Sequence, residues 1–271
     1  MIKVTALHIY PLKGGRGIEV DRIELDRFGP RNDRRWMVVD PDGSLVTQRE
    51  FGQLCQVGAT PDADALVLSA PGRSPLRVPR PPAGAPTRRV RVWDDHVGAV
   101  DVGDDAAGWI SEFLGAPTRL VFCPDDADRR TDPDYDAIGS PVSFADGYPL
   151  LVASEASLAD LNARLDTPLP MNRFRPNLVV TGVDAFGEDG WRRFEVAGIP
   201  FDGVKLCARC PVTTTDQETG QRAQEPLRTM ASFRKRNGGV MFGMNAVHRA
   251  TGPIRVGDVV TVIRSMATGS A

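Results

Sequence analysis

The chain has 271 residues, 41% hydrophobic and 25% charged, enough to bury the core of one large barrel or two modest domains and unlike a disordered polymer. Its 33 Lys and Arg are interspersed with 35 Asp and Glu, so no whole-chain field draws in a polyanion, and nucleic acid is not an expected partner. Four cysteines are too sparse for a disulfide scaffold, no signal-type segment opens the chain and no apolar run approaches about 18 residues, which points to a reducing, cytoplasmic setting without a membrane segment.

Residues 3–10, apolar with β-branched members, read as a strand. A second, 35–40, runs into the turn Pro41-Asp42-Gly43, and 45–48 reads as the return strand of a hairpin. Prolines at 71, 75, 79, 81, 82 and 86 each remove a backbone donor, so 71–87 is expected to be an exposed loop before a strand resumes at 90–93. A helix is predicted over 104–114, where Trp109, Ile110, Phe113 and Leu114 share one face and Gly115 stands just past the end. A second helix starts at Ser157 as N-cap and carries Leu158, Leu161 and Leu165 as a stripe suited to packing on a sheet. After Pro176, strands are expected at 178–181, 194–196, 200–206 and 258–263, with turns such as Ala197-Gly198 between them; 267–271 reads as a frayed tail. The fold class expected is mainly β with a few covering helices, barrel-like and mostly antiparallel.

The sharpest chemical feature is Cys207-Ala-Arg-Cys210-Pro-Val-Thr-Thr-Thr-Asp216. A zinc half-site would need a second ligand pair, yet Cys55 and Cys123 are isolated and His8, His96 and His248 show no ligand spacing. A thioredoxin-type dithiol wants a helix after its first Cys, which Pro211 and the run Val212-Thr-Thr-Thr oppose. A single soft thiolate ligand for a redox metal is the third option, and two buried small hydrophobes the plain one. The tryptophans at 36, 93, 109 and 191 read as core or lid residues.

The run Asn172-Arg-Phe-Arg175-Pro-Asn177, then Cys207-Ala-Arg-Cys210, Asp216, Thr219-Gly220 and Glu225-Pro226-Leu227, resembles the MOSC domain. Upstream, Tyr10-Pro-Leu-Lys13 and Asp33-Arg-Arg-Trp36 resemble the N-terminal β-barrel that accompanies it in the amidoxime reducing components and their bacterial relatives, and the segment from Ser154 to Asn162 matches that group too. The resemblance implies an N-terminal barrel-like domain over 1–115, a MOSC barrel over 116–265 and a tail at 266–271. It implies a molybdenum–molybdopterin cofactor, with Cys210 as metal ligand and Cys207 auxiliary. Pterin-holding positions fall on Lys13, Arg34 and Arg175, with Gly14, Asp146, Ala208 and Asn245 as neighbouring contacts; Asp216 is a candidate proton donor. Gly14 stands where several relatives carry a hydroxyl, and Asn245 where some carry an aromatic.

The activity implied is reduction of small N-oxygenated compounds. Larger members fuse a ferredoxin-like iron–sulfur domain with four cysteines, whereas no cysteine follows Cys210 here. No iron–sulfur cluster is therefore expected in this chain, and electrons would come from a separate ferredoxin, flavodoxin or cytochrome. The other reading is a sulfur carrier or cofactor-handling protein with a persulfide on Cys210.

Overall fold

The computed structural model describes residues 1–236 and 238–265; the tail expected at 266–271 lies outside them. Among the described residues, seven strands close into a barrel. Strand Ile2–Ile9 pairs antiparallel with Leu178–Thr181 on one side and Val259–Ser265 on the other. From Val259–Ser265 the ladder continues through Trp191–Val196, Ile199–Ala208 and Gly239–His248 to Leu150–Ser154. That last strand closes the ring by pairing parallel with Leu178–Thr181. Because side chains alternate across a strand, alternate residues fill the barrel, and a register shift between Val4 and Ala6 brings Leu7 to the same face: Val4, Leu7, Val152, Phe194, Val196, Phe201 and Val260 are buried together. The N-terminal strand thus belongs to a barrel built otherwise from the second half of the chain.

The segment between Ile9 and Leu150 forms a smaller β assembly. One sheet orders Trp36–Val39, Arg119–Phe122, Asp95–Asp101 and Arg88–Val92; another orders Gly58–Asp62, Ala65–Ala70 and Arg73–Pro79. The helix Asp104–Leu114 lays Trp109 and Ile110 against Trp36, Leu68 and Phe122, and ends at Gly115 in the left-handed conformation. Three short strands, Arg22–Asp26, Gly29–Pro30 and Gly252–Arg255, tie the two assemblies at one edge.

Several expectations change. Within 71–87 the structure has a strand, Arg73–Pro79, paired only with Ala65–Ala70; an edge strand tolerates proline because its outer donors have no ladder partner. The turn after Trp36–Val39 forms, but 45–48 returns only as an isolated bridge between Val39 and Leu45, and the ladder partner of Trp36–Val39 is Arg119–Phe122. The helix Glu155–Asn162 is capped by Ser154, whose Oγ accepts from Ser157 N, so its start lies three residues before the one read from sequence. Ser157 is instead the second hydroxyl of the cap, and donates to buried Glu188.

Candidate active site

A solvent-open cavity lies where the N-terminal assembly meets the barrel. Its lining comes from both: Lys13, Gly14, Arg34 and Trp93 on one side, and Arg175, Cys207, Arg209, Cys210 and Asn245 on the other, with Asp146 from the connecting segment.

The floor of the charge arrangement is Tyr10, which is buried, with its hydroxyl donating to Pro176 O at 3.0 Å. Burial pushes its phenol up to about 12, so it stays neutral. The Arg34 and Arg175 guanidinium groups both lie over its ring, at 4.2 and 4.3 Å from the centroid. Both arginines have positive φ, +46° and +55°, which turns the two side chains out of the line of their segments. Arg34 donates to Asp33 Oδ2 at 2.6 Å and to Asn177 Oδ1 at 3.0 Å. Arg175 is 9% exposed, and donates to two neutral oxygens, Gly15 O at 2.8 Å and Gln217 Oε1 at 3.2 Å. Burial lowers its pKa to about 10, still far above neutrality, so it is a buried cation.

Lys13 is held by a backbone bond to Trp36 O, and its Nζ reaches Asp146 Oδ1 at 2.5 Å. Burial pushes the ammonium pKa down while Asp146 pulls it back up. Asp146 itself is 78% exposed through the open cavity yet crowded by protein behind. That crowding works against ionisation, but Lys13, the Trp93 indole and Arg34 outweigh it and hold the carboxyl well below the usual range.

The strand Ile199–Ala208 delivers Cys207 to the cavity, and the chain then turns through Cys210 into one turn of 3-10 helix, Pro211–Thr214. The Pro and β-branched residues that oppose a longer helix permit this single turn, with Pro at its first position and Cys210 as its N-cap. Thr213 closes the turn by donating from both N and Oγ1 to Cys210 O. Arg209 bridges the pair's surroundings: it donates to Cys207 Sγ at 2.8 Å and to Phe174 O at 2.9 Å. Among the described residues no three His, Cys, Asp or Glu side chains gather as a metal cage.

Residues 1–117 match the family described as "MOSC N-terminal beta barrel domain", and residues 139–261 match "MOSC domain". The mitochondrial amidoxime-reducing component 1 of Mus musculus and that of Homo sapiens are each 34% identical over 96% of this chain and 82% of theirs. The mitochondrial amidoxime reducing component 2 of Bos taurus is 35% identical over 95% of this chain and 82% of its own. The chain belongs to the MOSC family of the amidoxime-reducing components.

In this MOSC protein the cavity gathers seven of the positions singled out in the sequence: Lys13, Gly14, Arg34, Asp146, Arg175, Cys210 and Asn245. Ala208 is exposed at the strand end, its Cβ against Gly239, and does not line the cavity. Asp216 also stands outside the lining: its carboxylate accepts from Glu218 N, Thr219 N and Thr219 Oγ1 and pairs with Arg173, the bonding of a turn-holding residue. Its own loop lowers its pKa, with Thr219 N–H the main cause, which suits a permanent acceptor. Trp36, Trp109 and Trp191 are core residues, but Trp93 is 36% exposed and lines the cavity. Tyr10, Trp93 and Arg209 are the site residues whose parts sequence reasoning did not assign. For Tyr10 the signal was its place in the Tyr10-Pro-Leu-Lys13 run, and for Arg209 its position inside the C-x-x-C.

Proposed function

We propose that this MOSC protein reduces small N-oxygenated compounds such as amidoximes, hydroxylamines and other N-hydroxylated bases, using a molybdenum–molybdopterin cofactor held in the cavity. The observation that carries the reading is an excess of positive charge beside two thiols. Four cations, Lys13, Arg34, Arg175 and Arg209, line the cavity against one lining carboxylate, Asp146. Asp33 neutralises Arg34 and Asp146 neutralises Lys13, whereas among the described residues Arg175 and Arg209 donate to neutral oxygens and to Cys207 Sγ and to no carboxylate. A buried cation without an anion is costly, and a phosphate-bearing ligand with an anionic sulfur pair offsets that cost.

The donor set fits that group. Arg34 and Arg175 present planar forks suited to phosphate, and Tyr10 holds both in place. Backbone at Gly14 and the amide of Asn245 supply hydrogen-bonding edges for a pterin. Cys210 presents a soft sulfur at the cavity wall and would be the protein's ligand to the cofactor's metal. When bound, the cofactor supplies two-electron redox chemistry at its metal. The chain's residues fix the anionic end, present one thiolate and leave space in which an N–O group is oriented. The net conversion takes R–NHOH, two electrons and two protons to R–NH₂ and water. In this reading the electrons come from a separate ferredoxin-, flavodoxin- or cytochrome-type protein.

The test is expression in a cofactor-producing host with molybdenum and pterin measured per chain. Near-stoichiometric metal in the wild type, at least tenfold loss in Cys210→Ser and much smaller loss in Cys207→Ser are expected. A serine variant at 210 that keeps metal and benzamidoxime reduction overturns the ligand assignment. A metal-free wild type with a cyanide-labile sulfur on Cys210 overturns the reductase reading in favour of a sulfur carrier.

A further inference from the structure

Trp93 does not pack like a core tryptophan. It occupies the two-residue turn Trp93-Asp94 between strands Arg88–Val92 and Asp95–Asp101, with φ of +57°, a conformation that side chains with a Cβ rarely adopt. The ring belongs to none of the apolar clusters among the described residues, so the strain is not offset by core burial. It is offset locally: the indole N–H donates to Asp146 Oδ1 at 3.1 Å, and the Arg49 guanidinium sits 4.6 Å over the ring. The result is a flat aromatic surface at the cavity wall, 36% exposed, with Lys13 Nζ 5.7 Å from the ring centroid. Strained residues held this way cluster where a ligand is contacted. Arg49 is exposed, its backbone is held by Thr47 and Arg222, and its guanidinium, without a carboxylate partner among the described residues, lies over the Trp93 ring.

We propose that Trp93 and Arg49 form a substrate-selecting rim, in which a planar conjugated N-hydroxylated substrate stacks on the indole and an acidic substituent on that substrate pairs with Arg49. The proposal rests on the reductase reading above and adds to it the two residues that discriminate among its substrates. An aryl amidoxime is flat through its C=N–O group and ring, so it gains stacking area on an indole that a compact hydroxylamine cannot use. A carboxylate on such an aryl group would pair with a guanidinium that has no carboxylate partner among the described residues.

The test compares benzamidoxime, 4-carboxybenzamidoxime and hydroxylamine as substrates of the molybdenum-loaded protein, with reduced methyl viologen as electron donor and rates normalised to cofactor content. Trp93→Gly is the main variant, because glycine suits the turn's backbone and the fold is spared strain. The expected result is a fall of about tenfold in kcat/KM for both amidoximes relative to hydroxylamine, carried by KM, with Trp93→Phe intermediate. Arg49→Gln is expected to lower kcat/KM for 4-carboxybenzamidoxime about fivefold relative to benzamidoxime. Binding of each amidoxime, read by isothermal titration calorimetry on the loaded protein, should weaken in parallel. Variants that leave these ratios unchanged, while the wild type reduces all three compounds, overturn the rim alone. Loss of pterin from Trp93→Gly in proportion to loss of rate assigns Trp93 to the cofactor and overturns it too. A loaded wild type inert toward all three overturns the reductase reading, and the rim with it.

Discussion

At the residue scale the site depends on how two like charges are kept side by side. Arg34 and Arg175 share one aromatic surface, and each is further tied to oxygens that cannot move: Asp33 and Asn177 for the first, Gly15 O and Gln217 for the second. Tyr10 therefore works twice, as core and as platform. Tyr10→Phe keeps the ring and removes the hydroxyl bond to Pro176 O, and should cost about 1 kcal/mol in urea unfolding while cofactor content holds. Tyr10→Ala removes the platform as well as core volume, and should cost about 3–5 kcal/mol and strip the pterin. Equal cofactor content in both variants would show that the guanidiniums hold their places without the ring.

At the element scale, Asp101 joins three pieces of the N-terminal assembly. It ends the strand Asp95–Asp101, accepts from Arg119 on the neighbouring strand and from Arg88 on the hairpin partner, and takes Gly103 N ahead of the helix Asp104–Leu114. The Arg119 hydrogen bonds, opposed by partial burial and aided by Gly103 and Arg88, hold its carboxyl at about 2. A carboxyl with a folded pKa below its unfolded value binds fewer protons when folded, so its contribution is complete above about pH 4 and fades as pH falls toward 2. That contribution is at most about 2 kcal/mol. Asp101→Asn should lower the unfolding midpoint at pH 7, and the gap from wild type should close near pH 2. A gap that persists undiminished at pH 2 would place the effect in packing instead of charge.

The elements also show which patterns a sequence exposes. Asp104–Leu114 and Leu178–Thr181 were legible at their observed bounds, the first because a one-sided apolar face and a terminal glycine agree, the second because a short β-branched run has no competing period. Leu150–Ser154 and Gly239–His248 were not. Leu150–Ser154 is buried on both faces, so its sequence lacks alternation, and Gly239–His248 contains two glycines that read as breaks. The proline-rich edge strand was hidden for a related reason: whether a proline is tolerable depends on whether its donor side has a neighbour, which is a property of the sheet.

At the scale of the molecule, the cavity exists because two β assemblies dock, and the docking is close. Gly52, in the N-terminal assembly, lies against Gly220 of the loop that follows the C-x-x-C, so near that a Cβ on Gly52 would stand 2.2 Å from Gly220 O. Neither neighbour is a flexible side chain that could yield. Arg16 and Gln56 reach across the same seam to Glu218, and Arg222 donates back to Gln48 O and Arg49 O. Gly52→Ala should therefore lower the thermal midpoint by several degrees and reduce cofactor occupancy together. Added cofactor should recover part of the midpoint, because a ligand that binds only the docked form stabilises it by mass action. A variant with unchanged occupancy would show that the seam can open without disturbing the cavity.

From residue order alone came the β-rich fold class and the C-x-x-C with its soft sulfurs, and the family resemblance then marked Cys210, Lys13, Arg34 and Arg175. Residue identity and short spacing carry such features, and both survive in one dimension. Only the tertiary structure decided that the four stand around one cavity, that Asp216 is spent on its own turn, and that Tyr10, Trp93 and Arg209 belong with them. The reason is that Lys13 and Asp146, or Tyr10 and Arg175, are more than a hundred residues apart in the chain, and their contact is produced by barrel closure and by docking across it. No local pattern encodes such a distance; it is fixed by which strand pairs with which.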